Sequence, residues 1–199
     1  VSNNCDAIIS IGGGSVLDMG KLISSFQNES LSSESNTILL MNSYLRKCPL
    51  LLVPTTAGSG SEETSFAVIY FNGKKYSVNN KSLKADMIIL DPIFSFSMNA
   101  KLKAISGLDA FTQSIESFWS KQSTKESRKY SIEALDLIWN NLHDSVLNNN
   151  YESHKKIVLA SNLAGKAINI AKTTAAHAIS YYFTSHHNIM HGHAVCLFF

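Results

Sequence analysis

The run Ala7-Ile8-Ile9-Ser10-Ile11 ends on three consecutive glycines, Gly12, Gly13 and Gly14, and Ser15 then opens Val16 to Phe26, whose apolar residues recur at helical spacing. A compact apolar strand, a glycine turn and a helix in that order begin a layered α/β unit. Three glycines let a backbone approach a ligand closely and take positive φ angles. The helix that follows aims its free N–H groups and its positive dipole end back at the turn, as a pyrophosphate site requires. The spacing matches neither GxGxxG nor GxxxxGK[ST], so it leaves two readings open, an anion site or a plain tight turn.

Leu50 to Val53 forms a second buried-type strand, closed by Pro54 and by the loop Thr55-Thr56-Ala57-Gly58-Ser59-Gly60-Ser61-Glu62. Hydroxyls and two glycines thus follow another strand end, where open α/β sheets place ligands. Two such loops favour a nucleotide. Phe66 to Tyr70 and Lys75 to Val78 flank Asn72-Gly73 as a hairpin, and Met87 to Leu90 before Asp91-Pro92 is a further strand. Leu31 to Asn36 is Ser-rich and reads as a surface loop.

After Pro92 there is no proline, and helical periods dominate. Helices are expected over Leu108 to Ser120, Lys125 to Asn148, Glu152 to Ile170 and Thr174 to about Ser185, with another from His191. The fold class is therefore an α/β, Rossmann-like dinucleotide-binding part over residues 1–95 followed by an all-α part over 96–199.

Of the 199 residues 45% are hydrophobic and 16% charged, a balance that excludes a disordered chain. No apolar run approaches the roughly 20 residues of a membrane span. Lysines are scattered and the net charge is +2, which gives no footing for nucleic acid or an anionic membrane. Cys5, Cys48 and Cys196 form no CxxC pair and read as reduced core thiols of a cytoplasmic protein. The chain lacks an initiator Met and stops inside the apolar run Ala194 to Phe199, so a piece of a longer chain is expected.

Asp109 and Gln113 share one face of a helix, His177 and Tyr181 share a face of a later one, and His191 opens the next. One carboxylate and two imidazoles from three segments can hold a divalent metal with open positions, as Lewis-acid chemistry requires. The other reading of this histidine-rich end, with His186, His187, His191 and His193, is a set of surface or helix-end residues.

In order along the chain, Ile8 to Lys21, Pro54 to Thr64, Asp91-Pro92, Ser106 to Ser120 and His177 to Val195 resemble the motifs of the iron-containing (group III) alcohol dehydrogenase family. The resemblance implies a dehydroquinate synthase-like architecture, truncated at both ends, and an NAD(P)H-linked oxidoreductase acting on small aldehydes and alcohols. It implies a homodimer for the full-length protein. By position it assigns Gly12, Gly13, Gly14, Ser15 and Asp18 to the pyrophosphate, Thr55, Thr56 and Ser59 to the cofactor groove, and Lys75 to the nicotinamide ribose. Asp109, His177 and His191 fall on metal-ligand positions, with iron as the expected ion and zinc as the alternative.

Two departures stand out. The family's usual fourth ligand, a His four residues after the Asp, is Gln113 here, a harder and weaker donor. The frequent second His, four after the first ligand His, is Tyr181, which either relays a proton, with His187 as the other candidate, or simply packs. Gln113, the run Glu116 to Ser120 and Lys172-Thr173-Thr174 are similar to the phosphonoacetaldehyde reductase (2-hydroxyethylphosphonate dehydrogenase) branch. There Lys172 and Thr173 would meet a phosphonate at a helix N-terminus. The other reading makes Thr173 or Thr174 an N-cap and Lys172 a solvated side chain. A dehydroquinate synthase-type lyase shares the glycine loop but usually offers Glu where Asp109 stands. An inactive fragment serving as a binding module is the alternative from a different class.

Overall fold

The computed structural model describes residues 5–25, 46, 48–71, 74–187 and 189–199, with only the backbone at 70, 71, 74 and 75. The chain divides into two units, one from the described residues of Val1–Pro54 and Ser61–Ile89, the other Thr55–Gly60 with Leu90–Phe199. The loop after the second strand thus goes with the helices, and the second unit resumes at Leu90.

In the first unit β1 (Ile8–Gly12) pairs in parallel with β2 (Leu50–Pro54), Ile8 opposite Leu50 and Gly12 opposite Pro54, and β2 pairs with the short β5 (Met87–Ile88). α1 (Gly14–Ser25) covers one face of this sheet through Leu17, which clusters with Leu50 and Leu52. Gly20 makes the approach close, since a Cβ there would lie 2.5 Å from Ser10 Cβ, and Ser10 Oγ donates to Val16 O at 2.9 Å. Ile9 and Ile11 point to the other face, 64% and 58% exposed, so among the described residues β1 is covered on one side only. β3 (Phe66–Phe71) and β4 (Lys74–Asn79) pair antiparallel with Phe71 opposite Lys74; the expected Asn72-Gly73 turn lies outside the described residues, as does the Ser-rich stretch 31–36. Leu22, Ala67, Val78 and Leu83 join α1 to this hairpin.

The second unit is helical: α2 (Ile93–Phe96), α3 (Ala100–Trp119), α4 (Lys125–Leu147), α5 (Tyr151–Ala171), α6 (Ala175–His187) and α7 (His191–Cys196). α3 starts eight residues earlier than expected because Asn99 caps it, accepting from Leu102 N at 2.9 Å, and because Gly107 lies within the helix instead of ahead of it. A Cβ on Gly107 would meet Leu142 Cδ1 at 2.3 Å, so this glycine sets how closely α4 packs. Thr124 and Ser127 form a capping box on α4, and Asn150 caps α5. Ala110, Ala134, Ile138, Ile157 and Ala164, from three helices, are in the core, where the alanines let the backbones come close and the isoleucines fill the space between them.

No helix among the described residues is long and apolar enough to cross a membrane. None of the cysteines is a core residue: Cys5 is exposed, ahead of β1, and Cys48 and Cys196 are half-buried at the edges of elements.

Candidate functional site

Asp109 from α3, His177 from the first turns of α6 and His191 from the start of α7 converge, each offering one ligand atom, with these atoms all within 4.8 Å of one another. Asp109 Oδ1 lies 3.4 Å from His177 Nε2 and 4.0 Å from His191 Nε2. A Cβ on Gly192 would sit 2.4 Å from Ile105 O and 2.9 Å from Asp109 Cβ, so the missing side chain is what lets α7 bring His191 against α3. Asp109 Oδ1, His177 Nε2 and Gln113 Oε1 are buried and make no hydrogen bond among the described residues. Buried polar atoms are normally satisfied, and three orphaned donor atoms on the side chains that sequence singled out fit a divalent cation.

Gln113 sits one turn beyond Asp109, 4% exposed, and its Nε2 donates to Ser59 O at 3.4 Å. That bond spends the amide's nitrogen and leaves Oε1 as the available end, so the carboxamide can serve as the fourth ligand. The loop that supplies Ser59 O is held by two further close approaches, Gly58 against Ser106 and Gly60 against Gly165.

Glu116 received no role from the sequence, yet it is fully buried and organises the site. Its Oε1 accepts from Thr174 Oγ1 at 2.8 Å, from Ala176 N at 2.9 Å and from His177 N at 3.4 Å. Its Oε2 is hydrogen-bonded to His177 Nδ1. Burial works to raise its pKa, but the His177 imidazole and these donors outweigh it and hold the carboxyl below the usual range. The signal was available: Asp109, Gln113 and Glu116 stand at i, i+4 and i+7, one helix face.

Burial alone would push His177 down. The flanking carboxylates of Asp109 and Glu116 prevail and raise it to about 9, so without a metal a proton occupies the space between the two anions.

The residues around this centre sort differently from expectation. Tyr181 stacks on His191, ring centroids 5.5 Å apart and 1° from parallel, so it belongs to the site. His187 is exposed and its ring neighbours are Tyr182 and Phe183, which sets it away from the trio. The expected N-cap hydroxyl of Thr174 instead donates to Glu116, and Glu116 itself takes the N–H groups at the start of α6. Two of the N–H groups at this helix end, those of Ala176 and His177, thus go to a carboxylate of the chain. Lys172 ends α5 with φ 63° and ψ 169°, its Nζ donates to Asn169 O at 3.2 Å, and burial lowers its pKa. Thr173 is half-buried beside it.

In the first unit Gly13 O accepts from Val16 N at 2.9 Å and Leu17 N at 3.1 Å, which starts α1 directly from the glycine turn. Among the described glycines only Gly60 has positive φ, so Gly12, Gly13 and Gly14 are not needed for a left-handed backbone. Gly12 is needed for space: a Cβ would lie 2.6 Å from Val16 Cβ. Ser15 is exposed beside the first N–H groups of α1, which have no intrahelical partner. Asp18 turns inward, its Oδ1 accepting from Lys21 Nζ at 3.2 Å and Ser61 Oγ at 2.5 Å and its Oδ2 from Val68 N at 2.8 Å. It braces α1 against β3 and the stretch at Ser61. Lys21, fully buried, also donates to Thr64 Oγ1 and Phe66 O. Thr55, Thr56 and Ser59 are half-buried in the loop, and the Lys75 side chain lies outside the described residues.

Two family profiles match the chain, "Iron-containing alcohol dehydrogenase" over residues 1–92 and "Fe-containing alcohol dehydrogenase family, C-terminal" over residues 103–199. A long-chain-alcohol dehydrogenase of Geobacillus thermodenitrificans is 31% identical over 191 residues, 94% of this chain and 48% of that protein. A 4-hydroxybutyrate dehydrogenase of Clostridium kluyveri is 31% identical over 198 residues, 96% of this chain and 52% of the relative. Among solved structures, a sulfoacetaldehyde reductase from Bifidobacterium kashiwanohense in complex with NAD+ superposes with a TM-score of 0.91 at 31% identity, over 98% of this chain and 53% of that one. The chain thus spans about half the length of the relatives it matches.

Proposed function

The chain belongs to the iron-containing alcohol dehydrogenase family, and from that premise we propose that it serves the metal-dependent, NAD(P)H-linked reduction of small aldehydes to alcohols. The observation that carries this reading is the set of orphaned, buried donor atoms on Asp109, Gln113 and His177, with His191 completing them. When bound, the nicotinamide cofactor supplies the hydride and the metal a Lewis acid for the carbonyl oxygen.

This chain's own residues prepare the two sites. Asp109 Oδ1, His177 Nε2, His191 Nε2 and Gln113 Oε1 would hold the metal, and burial of the first two keeps competing water away from them. The turn at Gly12, Gly13, Gly14 and Ser15 would take the cofactor pyrophosphate on the first N–H groups of α1. Thr55, Thr56 and Lys75 complete the assignment for the cofactor. Tyr181, packed flat on His191, is the side chain we assign to pass a proton to the product oxygen.

Within that class we favour an aldehyde bearing an anionic tail, phosphonoacetaldehyde being one. Support comes from the similarity to a reductase of sulfoacetaldehyde, a small aldehyde with a tetrahedral anion, and from Lys172 five residues before His177. With the N–H groups of Ala176 and His177 taken by Glu116, charge recognition falls to the Lys172 amine and the Thr173 hydroxyl.

Titrating the chain with Zn2+ or Fe2+ and with NADH, then following absorbance at 340 nm on adding phosphonoacetaldehyde, sulfoacetaldehyde or butyraldehyde, tests the proposal. Uptake of metal and NADH with oxidation by an aldehyde is expected. Absence of all three signals would favour the binding-module reading.

A further inference from the structure

We propose that Glu116 is the positioning residue of the metal centre, keeping a hydrogen on His177 Nδ1 so that Nε2, the edge turned toward Asp109 and His191, is the nitrogen left for a cation. The inference rests on reading Asp109, His177 and His191 as a metal site. Three observations carry it. Glu116 and His177 are both buried, so neither trades its partner for water. Glu116 Oε2 meets Nδ1, while Nε2, on the opposite edge of the ring, is the atom within 3.4 Å of Asp109 Oδ1 and without a hydrogen bond. The other oxygen of the same carboxylate is bonded to Thr174 Oγ1, Ala176 N and His177 N.

One buried anion therefore fixes both the ligand's ring and the helix end that carries it. A carboxylate accepts and never donates, so a ring nitrogen facing it must carry the hydrogen. A ligating imidazole held in this way by an outer carboxylate has its Nε2 edge aimed before a cation arrives, and the cation displaces only the proton at Nε2. The isosteric amide cannot meet every demand here. A Gln at 116 has one accepting and one donating end. If its oxygen stays with the α6 N–H groups, its NH2 faces Nδ1 and drives the hydrogen to Nε2, which then cannot ligate. If it turns over, its NH2 opposes the N–H groups of Ala176 and His177.

The test is a pair of measurements on the chain and on Glu116→Gln. Competition against a chromophoric chelator gives the Zn2+ affinity, and 15N spectra of histidine-labelled, Zn2+-loaded chain give the His177 tautomer, assigned against His177→Asn. The expected result is a hydrogen on Nδ1 and metal at Nε2 in the wild-type chain, with affinity about 10- to 100-fold weaker in Glu116→Gln. Equal affinity in both chains, or a wild-type His177 ligating through Nδ1, overturns the role of Glu116 while leaving the metal site standing. A wild-type chain that takes up no Zn2+ overturns the metal site, and this inference with it. Should Glu116→Gln fail to fold, the tautomer in the wild-type chain decides alone.

Discussion

Gly60 and Gly165 meet backbone to backbone: a Cβ on Gly60 would lie 2.4 Å from Gly165 Cα, and one on Gly165 would lie 2.4 Å from Gly60 O. The contact seats the loop 55–60 on α5, and the neighbouring Ser59 offers its carbonyl to Gln113. A pair of glycines far apart in sequence thus governs where the fourth candidate ligand points.

Substituting either glycine should loosen that seat. Gly165→Ala forces the loop off α5 and is expected to cost about 2 kcal/mol, as overpacking of a well-packed interface does. Gly60→Ala adds the strain of its φ of 59° and should cost about 1 kcal/mol more. Urea unfolding of the two variants measures both. Losses below about 0.5 kcal/mol would mean that the loop retreats freely.

Metal uptake should depend on pH in a definite direction. His177, raised to about 9 by its two carboxylates, keeps its proton through neutral pH in the metal-free chain. A cation at Nε2 displaces that proton, so apparent affinity should rise about tenfold per pH unit up to about pH 9 and level off beyond it. Chelator competition with Zn2+ or Co2+ at several pH values reads the slope. A flat profile would remove His177 from the ligand set.

Gln113 gives a second handle on the same centre. Gln113→His exchanges a neutral carboxamide oxygen for an imidazole and should tighten Zn2+ binding by about tenfold or more, because imidazole suits zinc better than an amide oxygen. Gln113→Leu should weaken it, since the oxygen is lost while the buried position stays filled. If both variants match the wild type in chelator competition, Gln113 is a packing residue held by Ser59.

The glycine turn, the two parallel strands and the long helices were legible because each is written in local pattern, a compact apolar run or a 3.6-residue period. What stayed hidden depends on contacts distant in sequence. The expected helix start at Leu108 leaves Gly107 outside it, and only the packing of Leu142 against that glycine gives it a place within α3. Sequence does not show that Asp18 meets Ser61 and Val68 N, nor that the Thr174 hydroxyl donates to Glu116. The ligand set came from resemblance in order and type, whereas its geometry needed Gly192 to let two helices touch. The three cysteines are free thiols, but placing them in the core failed, because apolar neighbours in sequence say little about burial at the edge of an element.

Acid should destabilise the helical unit through His154. This residue is 1% exposed, with Nε2 2.8 Å from Ser95 Oγ and Nδ1 3.2 Å from Ser145 Oγ. Burial first, and the charge of Lys103 second, lower its pKa from 6.5 to about 4. The unfolded chain then binds the proton more readily than the folded one, so stability is intact above pH 6.5 and declines as pH falls toward 4. The loss by pH 4 is about 3 kcal/mol. Unfolding free energies between pH 7 and 4 should show this decline in the wild type and a shallower one in His154→Gln. Parallel curves would assign acid sensitivity elsewhere.

Lys172 combines a charge with an unusual backbone, and the two can be separated. Its φ of 63° and ψ of 169° lie where glycine is at ease and other residues are strained by about 1–3 kcal/mol. Lys172→Gly removes both strain and amine, whereas Lys172→Ala removes the amine and keeps the strain. Stability should therefore rise by about 1 kcal/mol in the glycine variant alone, once glycine's greater freedom in the unfolded chain is deducted. If the amine recognises an anionic tail, both variants should raise KM for phosphonoacetaldehyde or sulfoacetaldehyde far more than for butyraldehyde, with kcat for butyraldehyde little changed. Steady-state rates at 340 nm and thermal unfolding on the same preparations distinguish the cases. Equal KM effects on charged and uncharged aldehydes in both variants would make Lys172 a backbone device at the end of α5 and remove it from substrate recognition.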